Sequence, residues 1–156
     1  FIMLSIISKN PQETQKFGKK IGKNLFPTSI IALIGKLGSG KTTLIQGIGQ
    51  GLGITSPIKS PSFTLIHEYQ GSLPLYHFDL YRLSSEEEIE HLGYEEYFFK
   101  KKGVVVIEWA DKMESFLTFP HLKIKIRMID FFQREIILIP NGIIYEKLVE
   151  KLLISV

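Results

Sequence analysis

Eight consecutive residues, Gly35-Lys36-Leu37-Gly38-Ser39-Gly40-Lys41-Thr42, match the spacing G-x-x-x-x-G-K-[ST], with a continuous apolar run before them and a helical pattern after. These residue types at this spacing suit phosphate chemistry. The glycines let the backbone wrap closely, so that its N–H groups point inward, and a helix starting near Lys41 adds a positive dipole end. Gly38, Ser39 and Gly40 are therefore expected to cradle phosphates, with Lys41 reaching the terminal ones. Thr42 offers a hydroxyl to Mg²⁺, and Thr43 can donate toward an inner phosphate. Such a loop fixes nucleotide binding but not the reaction.

The reaction needs an acidic group that holds the metal or orients water, usually at the end of an apolar strand beside the phosphate loop. Two residues qualify. Glu108 follows Val104-Val105-Val106-Ile107, and Asp79 follows Leu75-Tyr76-His77-Phe78. In open α/β sheets, ligands bind beyond the carboxyl ends of the strands, so both carboxylates are expected at the site. The residues alone leave open which one serves the water and which the metal.

Elements that must position these groups can be read along the chain. Ile2 to Ile7 reads as a strand, followed by Ser8 and Asn10 as cap candidates and Pro11 at the first helical position. Phe17, Ile21 and Leu25 mark the buried side of a helix that Pro27 closes. Ile30 to Ile34 is the continuous apolar run of a central strand, and Leu44, Ile45, Ile48 and Leu52 mark the helix after the loop. Gly47, Gly49 and Gly51 interrupt that helix, which signals close packing. Thr64 to Tyr69 and Leu75 to Leu80 read as a hairpin around Gln70-Gly71-Ser72. Ser84 and Ser85 open a short acidic helix ending near Gly93. Val104 to Ile107 is a second central strand. Leu122 to Arg127 and Ile136 to Ile139 read as an antiparallel pair, and Ile143, Ile144, Leu148, Leu152 and Leu153 as the stripe of a closing helix. The fold class is α/β: a P-loop NTPase-like three-layer fold, with a central mixed sheet of parallel core and antiparallel additions, flanked by helices.

The length of 156 residues fits a single domain over 1–156. With 44% hydrophobic and 22% charged residues, the chain is ordinary for a globular protein and unlike a disordered one. The absence of cysteine excludes a thiol nucleophile, a disulfide framework and a thiolate metal site. No apolar run approaches the length of a membrane span, and the start lacks the features of a secretory signal, so a soluble, cytoplasmic protein is expected. A net charge of +3 is mild for autonomous nucleic-acid binding, and Lys16, Lys19, Lys20 and Lys23 read as a solvated helix face. His67, His77, His91 and His121 lack metal-site spacing. Tyr76, Phe78, Phe98, Phe99, Phe131 and Phe132 read as core or groove aromatics rather than base-stacking platforms.

Four stretches together resemble one family. The phosphate loop followed by Thr43, then Ser60-Pro61-Ser62-Phe63-Thr64-Leu65, then His77-Phe78-Asp79-Leu80-Tyr81-Arg82-Leu83, then Ile107-Glu108-Trp109 look like the TsaE (YjeE) family. Its members are bacterial P-loop ATPases of tRNA threonylcarbamoyladenosine biosynthesis. The resemblance runs from the N-terminal helix to the last strands. It implies that Gly38 to Thr43 hold the phosphates of ATP, that Thr42 and Glu108 hold Mg²⁺, and that Asp79 acts beside the γ-phosphate. Ser60 to Thr64 would form a switch-like loop, and Trp109 would lie close to the nucleotide. Pro11 and Thr14 resemble a segment near the base, and Arg134 an arginine of the late strands, which adds all three to the nucleotide-binding set. The family usually has an acidic residue at Lys36, a threonine at Ser62 and a glycine at Gln133.

The function so implied is a Mg²⁺-dependent ATPase, weak alone and stimulated by TsaD and TsaB homologues. Its cycle would drive turnover of the threonylcarbamoyl-transfer complex, with tRNA met through that complex and Lys41, Asp79 and Glu108 as catalytic residues. Two other readings share the phosphate loop: a small-molecule kinase, which Arg82, Arg127 and Arg134 alone supply poorly with arginines, and a nucleotide-gated interaction module.

Overall fold

Two largely apolar strands, Ile30–Ile34 (β2) and Val104–Glu108 (β5), lie side by side in parallel and are buried on both faces. They form the centre of a computed structural model that describes residues 3–59 and 65–154. Seven strands are formed by the described residues, in the order β1-β7-β6-β2-β5-β4-β3. The others are β1 (Leu4–Ser8), β3 (Ile66–Tyr69), β4 (Leu75–Asp79), β6 (His121–Met128) and β7 (Arg134–Asn141). Neighbours β6, β2, β5 and β4 are mutually parallel, whereas β3 pairs antiparallel with β4, and β7 antiparallel with both β6 and β1. The expected mixed sheet with a parallel core and antiparallel edges is therefore what the chain forms.

Helices cover the two faces unequally. Helices α1 (Pro11–Lys23), α2 (Lys41–Gly51) and α4 (Ile143–Ile154) share one core with Ile31, Leu33, Val104 and Val106. On the opposite face, Ala32, Val105 and Ile107 pack with Ile89 of the short helix α3 (Glu86–Glu90), a π-helical turn at Glu96–Lys100 and a 3₁₀ segment at Ala110–Phe116. Asn10 caps α1 by accepting from Glu13 N at 2.8 Å, and Pro11 takes the first turn, where its missing N–H costs nothing. Among the described residues, no helix is long and apolar enough to cross a membrane.

Several boundaries differ from the sequence reading, each for a local reason. Helix α1 stops at Lys23, where the Asn24 amide folds back onto the Lys20 carbonyl at 2.9 Å, so Leu25 packs from the following loop. The buried stripe of α4 is Tyr145, Leu148, Val149 and Leu152, while Ile143, Ile144 and Leu153 face solvent. Phe99, Phe131 and Phe132 are exposed, unlike the buried Tyr76, Phe78 and Phe98. Ser8 ends β1 instead of capping α1, and its hydroxyl pairs with Thr14 Oγ1 at 2.6 Å. The segment Ser60 to Thr64, with its expected switch-like behaviour, lies outside the described residues.

Candidate nucleotide site

Strand β2 delivers the chain at Ile34 to the glycine loop, which returns it into α2 at Lys41. Two turns of the loop demand glycine, because Gly38 and Gly40 have φ of +77° and +101°. No side chain caps the N-terminus of α2, and the positive end of its dipole faces the glycine loop. Within the loop, Ser39 is 4% exposed, and its hydroxyl has no hydrogen-bond partner among the described residues. The Lys36 side chain is exposed, and only its backbone carbonyl enters the loop's bonding.

Lys41 is buried at 6% exposure, and its ammonium donates to the carbonyls of Gly35 and Lys36. It also stands 4.0 Å from the centre of the Trp109 ring. Burial pushes its pKa down, opposed by the charges of Glu108, Asp79 and Asp111, in that order. Trp109 holds a left-handed backbone at φ 60° and touches Tyr81 with ring centroids 5.1 Å apart. Lys112 then ties down the loop beyond Asp79 by donating to the carbonyls of Tyr81 and Leu83.

Glu108 and Asp79 end adjacent parallel strands and are register partners. Alternation along each strand turns both toward the face that α2 covers. Glu108 is 3% exposed, with Oε2 bonded to His77 Nε2 at 2.7 Å. Asp79 is half-buried, and its Oδ1 accepts from Tyr81 N at 3.0 Å. Burial raises the Asp79 carboxyl above the ordinary carboxylate range, which the Tyr81 bond partly offsets.

On the other side of the loop, Pro11, Thr14, Gly40, Thr43, Phe132 and Arg134 line a small cleft. The guanidinium of Arg134 donates to Gly38 O at 3.2 Å and to carbonyls of Asp130, Phe131 and Gln133 at 2.9, 3.2 and 3.0 Å, so it joins the β6–β7 turn to the glycine loop. Its Nε is buried without a hydrogen-bond partner among the described residues. The residues that the sequence reading scattered over three segments thus share one cleft.

A family model described as "Threonylcarbamoyl adenosine biosynthesis protein TsaE" matches residues 8–136. The chain belongs to the TsaE family. Its curated relatives include the "tRNA threonylcarbamoyladenosine biosynthesis protein TsaE" of Bacillus subtilis, 44% identical over 144 residues that make up 92% of this chain and 89% of the relative. The protein of the same name from Nostoc is 47% identical over 115 residues, covering 71% of this chain and 70% of its own. Among solved structures, the crystal structure of Bacillus subtilis YdiB superposes with a TM-score of 0.83 at 39% identity, covering 97% of this chain and 94% of that one.

In this TsaE-family chain, sequence reasoning overlooked three contributors to the site. His77 was legible only as a neighbour of Asp79, although its position two residues earlier on one strand already set it on the same face. Phe132, read only as a core or groove aromatic, is carried by the β6–β7 turn to the cleft that Arg134 lines. The tilted ring contact of Tyr81 with Trp109 involves a left-handed residue that nothing in the sequence announces.

Proposed function

We propose that this chain binds ATP with Mg²⁺ and hydrolyses it, and that the cycle drives turnover of a complex that adds a threonylcarbamoyl group to tRNA adenosine. The family description supports the pathway. The chemistry rests on one observation: buried Lys41 of the glycine loop lies over Trp109, the residue after Glu108, whose register partner at the strand ends is Asp79. A polyanion suits the loop, given the positive end of the α2 dipole, which no side chain caps, and a buried Ser39 Oγ with no hydrogen-bond partner among the described residues. The described residues include no cluster of three or more His, Cys, Asp or Glu side chains able to hold a metal. Mg²⁺ itself needs no such cluster, since it binds through one or two carboxylates together with substrate phosphates.

In this reading the amides from Gly38 to Thr43 and the Lys41 ammonium neutralise the phosphates, and Thr42 and Glu108 hold the cation. When bound, Mg²⁺ supplies charge neutralisation at the phosphate oxygens. Asp79, half-buried and with a raised pKa, orients the attacking water and accepts its proton. Pro11, Thr14, Trp109 and Arg134 enclose the rest of the nucleotide. TsaD and TsaB homologues are the proposed partners, with tRNA reached through them in the cytoplasm.

The test is Mg²⁺-dependent ATP hydrolysis by the chain alone and with its cognate TsaD and TsaB, with Lys41→Ala as control. Weak activity that rises with the partners and disappears in the variant is expected. No stimulation by a verified complex would turn the reading toward a small-molecule kinase or a nucleotide-gated module.

A further inference from the structure

His77 takes no part in the chemistry above, yet it is 1% exposed and sits two residues before Asp79 on the same face of β4. In register it lies between His67 on β3 and Val106 on β5. Its Nε2 is 2.7 Å from Glu108 Oε2, and its Nδ1 has no hydrogen-bond partner among the described residues. An ionised carboxylate only accepts, so the bonding assigns the hydrogen to Nε2. Glu108 forms no second side-chain hydrogen bond among the described residues, which leaves Oε1 uncommitted.

Such a buried pair is a poor device for stability alone, because apolar side chains of similar size fill such a space at least as well. What the pair does provide is orientation. A carboxylate held at one oxygen cannot swing about its last torsion, and Glu108 otherwise ends in a side chain with a broad, two-fold rotor. We infer that His77 is a positioning residue, which pins Oε2 of Glu108 so that Oε1 is held ready for the cation that accompanies the nucleotide. This inference rests on the proposed role of Glu108 and adds the group that fixes its geometry.

The experiment measures ADP binding by titration calorimetry across a Mg²⁺ series, with ADP in EDTA as reference, for the full chain and for His77→Phe, His77→Gln and Glu108→Gln. His77→Phe keeps the ring volume and removes the donor, so half-saturating Mg²⁺ should rise about tenfold or more. ADP affinity in EDTA should stay unchanged. His77→Gln places an amide N–H near the position of Nε2 and should restore Mg²⁺ dependence to nearly that of the parent. A residue that only fills space would move melting temperature without moving the Mg²⁺ series.

A folded His77→Phe with the parental Mg²⁺ dependence, or a His77→Gln no better than His77→Phe, overturns the inference. If Glu108→Gln weakens the Mg²⁺ response and His77→Phe does not, only the positioning role falls. If Glu108→Gln leaves the response intact, the proposed cation role of Glu108 falls first and takes this inference with it. Should His77→Phe fail to fold, His77→Asn, which keeps an amide but shortens its reach, is judged by the same criterion.

Discussion

Asp79 and Glu108 face each other in register at the ends of two parallel strands, but their surroundings differ. Glu108 is sealed beneath the surface and bonded to His77, while Asp79 is half-open and its carboxylate accepts from the backbone N–H of Tyr81. Paired carboxylates in unlike environments are how a single site divides proton transfer from charge stabilisation. The division proposed here follows that difference. The group bonded from below holds the cation, and the group with a raised pKa meets the water.

Asp79→Asn separates the chemical role from the cost of burial. Because burial raises the carboxyl above its ordinary value of 3.8, the folded chain keeps this proton to higher pH than the unfolded chain does. The resulting stability is complete below that ordinary value and is lost as pH rises through the folded value. At neutral pH the charged side chain therefore opposes folding. Asparagine retains an oxygen for the Tyr81 N–H, so the variant should melt higher at neutral pH, by about 1 kcal/mol or less at so exposed a group. That gain should shrink as the buffer is acidified, while ATP hydrolysis falls about 100-fold or more and nucleotide binding persists. A melting difference that grows on acidification would contradict the assigned shift.

Lys41 and Trp109 give an optical reading of the site. The ammonium lies 4.0 Å from the indole centre while donating to two loop carbonyls, and a phosphate competes for the same charge. ATP or ADP should therefore change the fluorescence of Trp109, the only tryptophan. Lys41→Ala should lower nucleotide affinity about 100-fold or more, since a charge-assisted contact to phosphate is removed from a buried position. Unchanged affinity in a folded variant, measured by calorimetry, would refute the placement of the phosphates.

How much of this was legible beforehand depended on whether the signal was local. The glycine loop announces itself because its spacing and flanking elements agree, and the two central strands do so by continuous apolar runs. Asp79 and Glu108 were readable as strand-end acids, but their register partnership needed β4 and β5 to be neighbours, which no local pattern states. The exposure of Phe131 and Phe132 was missed for the same reason: they occupy a turn between β6 and β7, and apolarity alone does not say which residues a turn leaves outside. Helix α4 misled by composition, since Ile143 and Ile144 precede its buried stripe and lie at its exposed start.

Tyr145 joins that closing helix to the strand carrying the loop. Its hydroxyl accepts from Ile30 N at 2.9 Å, and the side chain is only 2% exposed. Tyr145→Phe keeps the ring packed on Phe26 but strands a buried backbone N–H, which should cost about 1–3 kcal/mol. Ile30 begins the strand that enters the loop after Ile34, so nucleotide affinity should be unaffected. Urea unfolding with no loss of stability would mean that water satisfies Ile30 instead.

The contact between α1 and α2 makes the sharpest demand on side-chain size. A Cβ at Gly47 would stand 2.1 Å from the carbonyl oxygen of Gln15, and one at Gly18 would stand 2.4 Å from that of Leu44, so each helix presses its backbone on the other. Gly47→Ala gains about 1 kcal/mol of helix propensity. Against that, the obstacle is backbone and cannot rotate away, so the helices must separate, at a cost of about 1–3 kcal/mol or more. Net destabilisation is expected, together with weaker nucleotide binding, because α1 carries Thr14 and α2 begins at the glycine loop. Gly49→Ala is the matched comparison. Its Cβ would meet Ile58 Cδ1 at 2.2 Å, the movable end of a side chain, so the loss there should be smaller. Equal midpoints in urea for the two variants would show that the helices yield as readily as the isoleucine, and that close backbone approach does not set the position of α1 over the site.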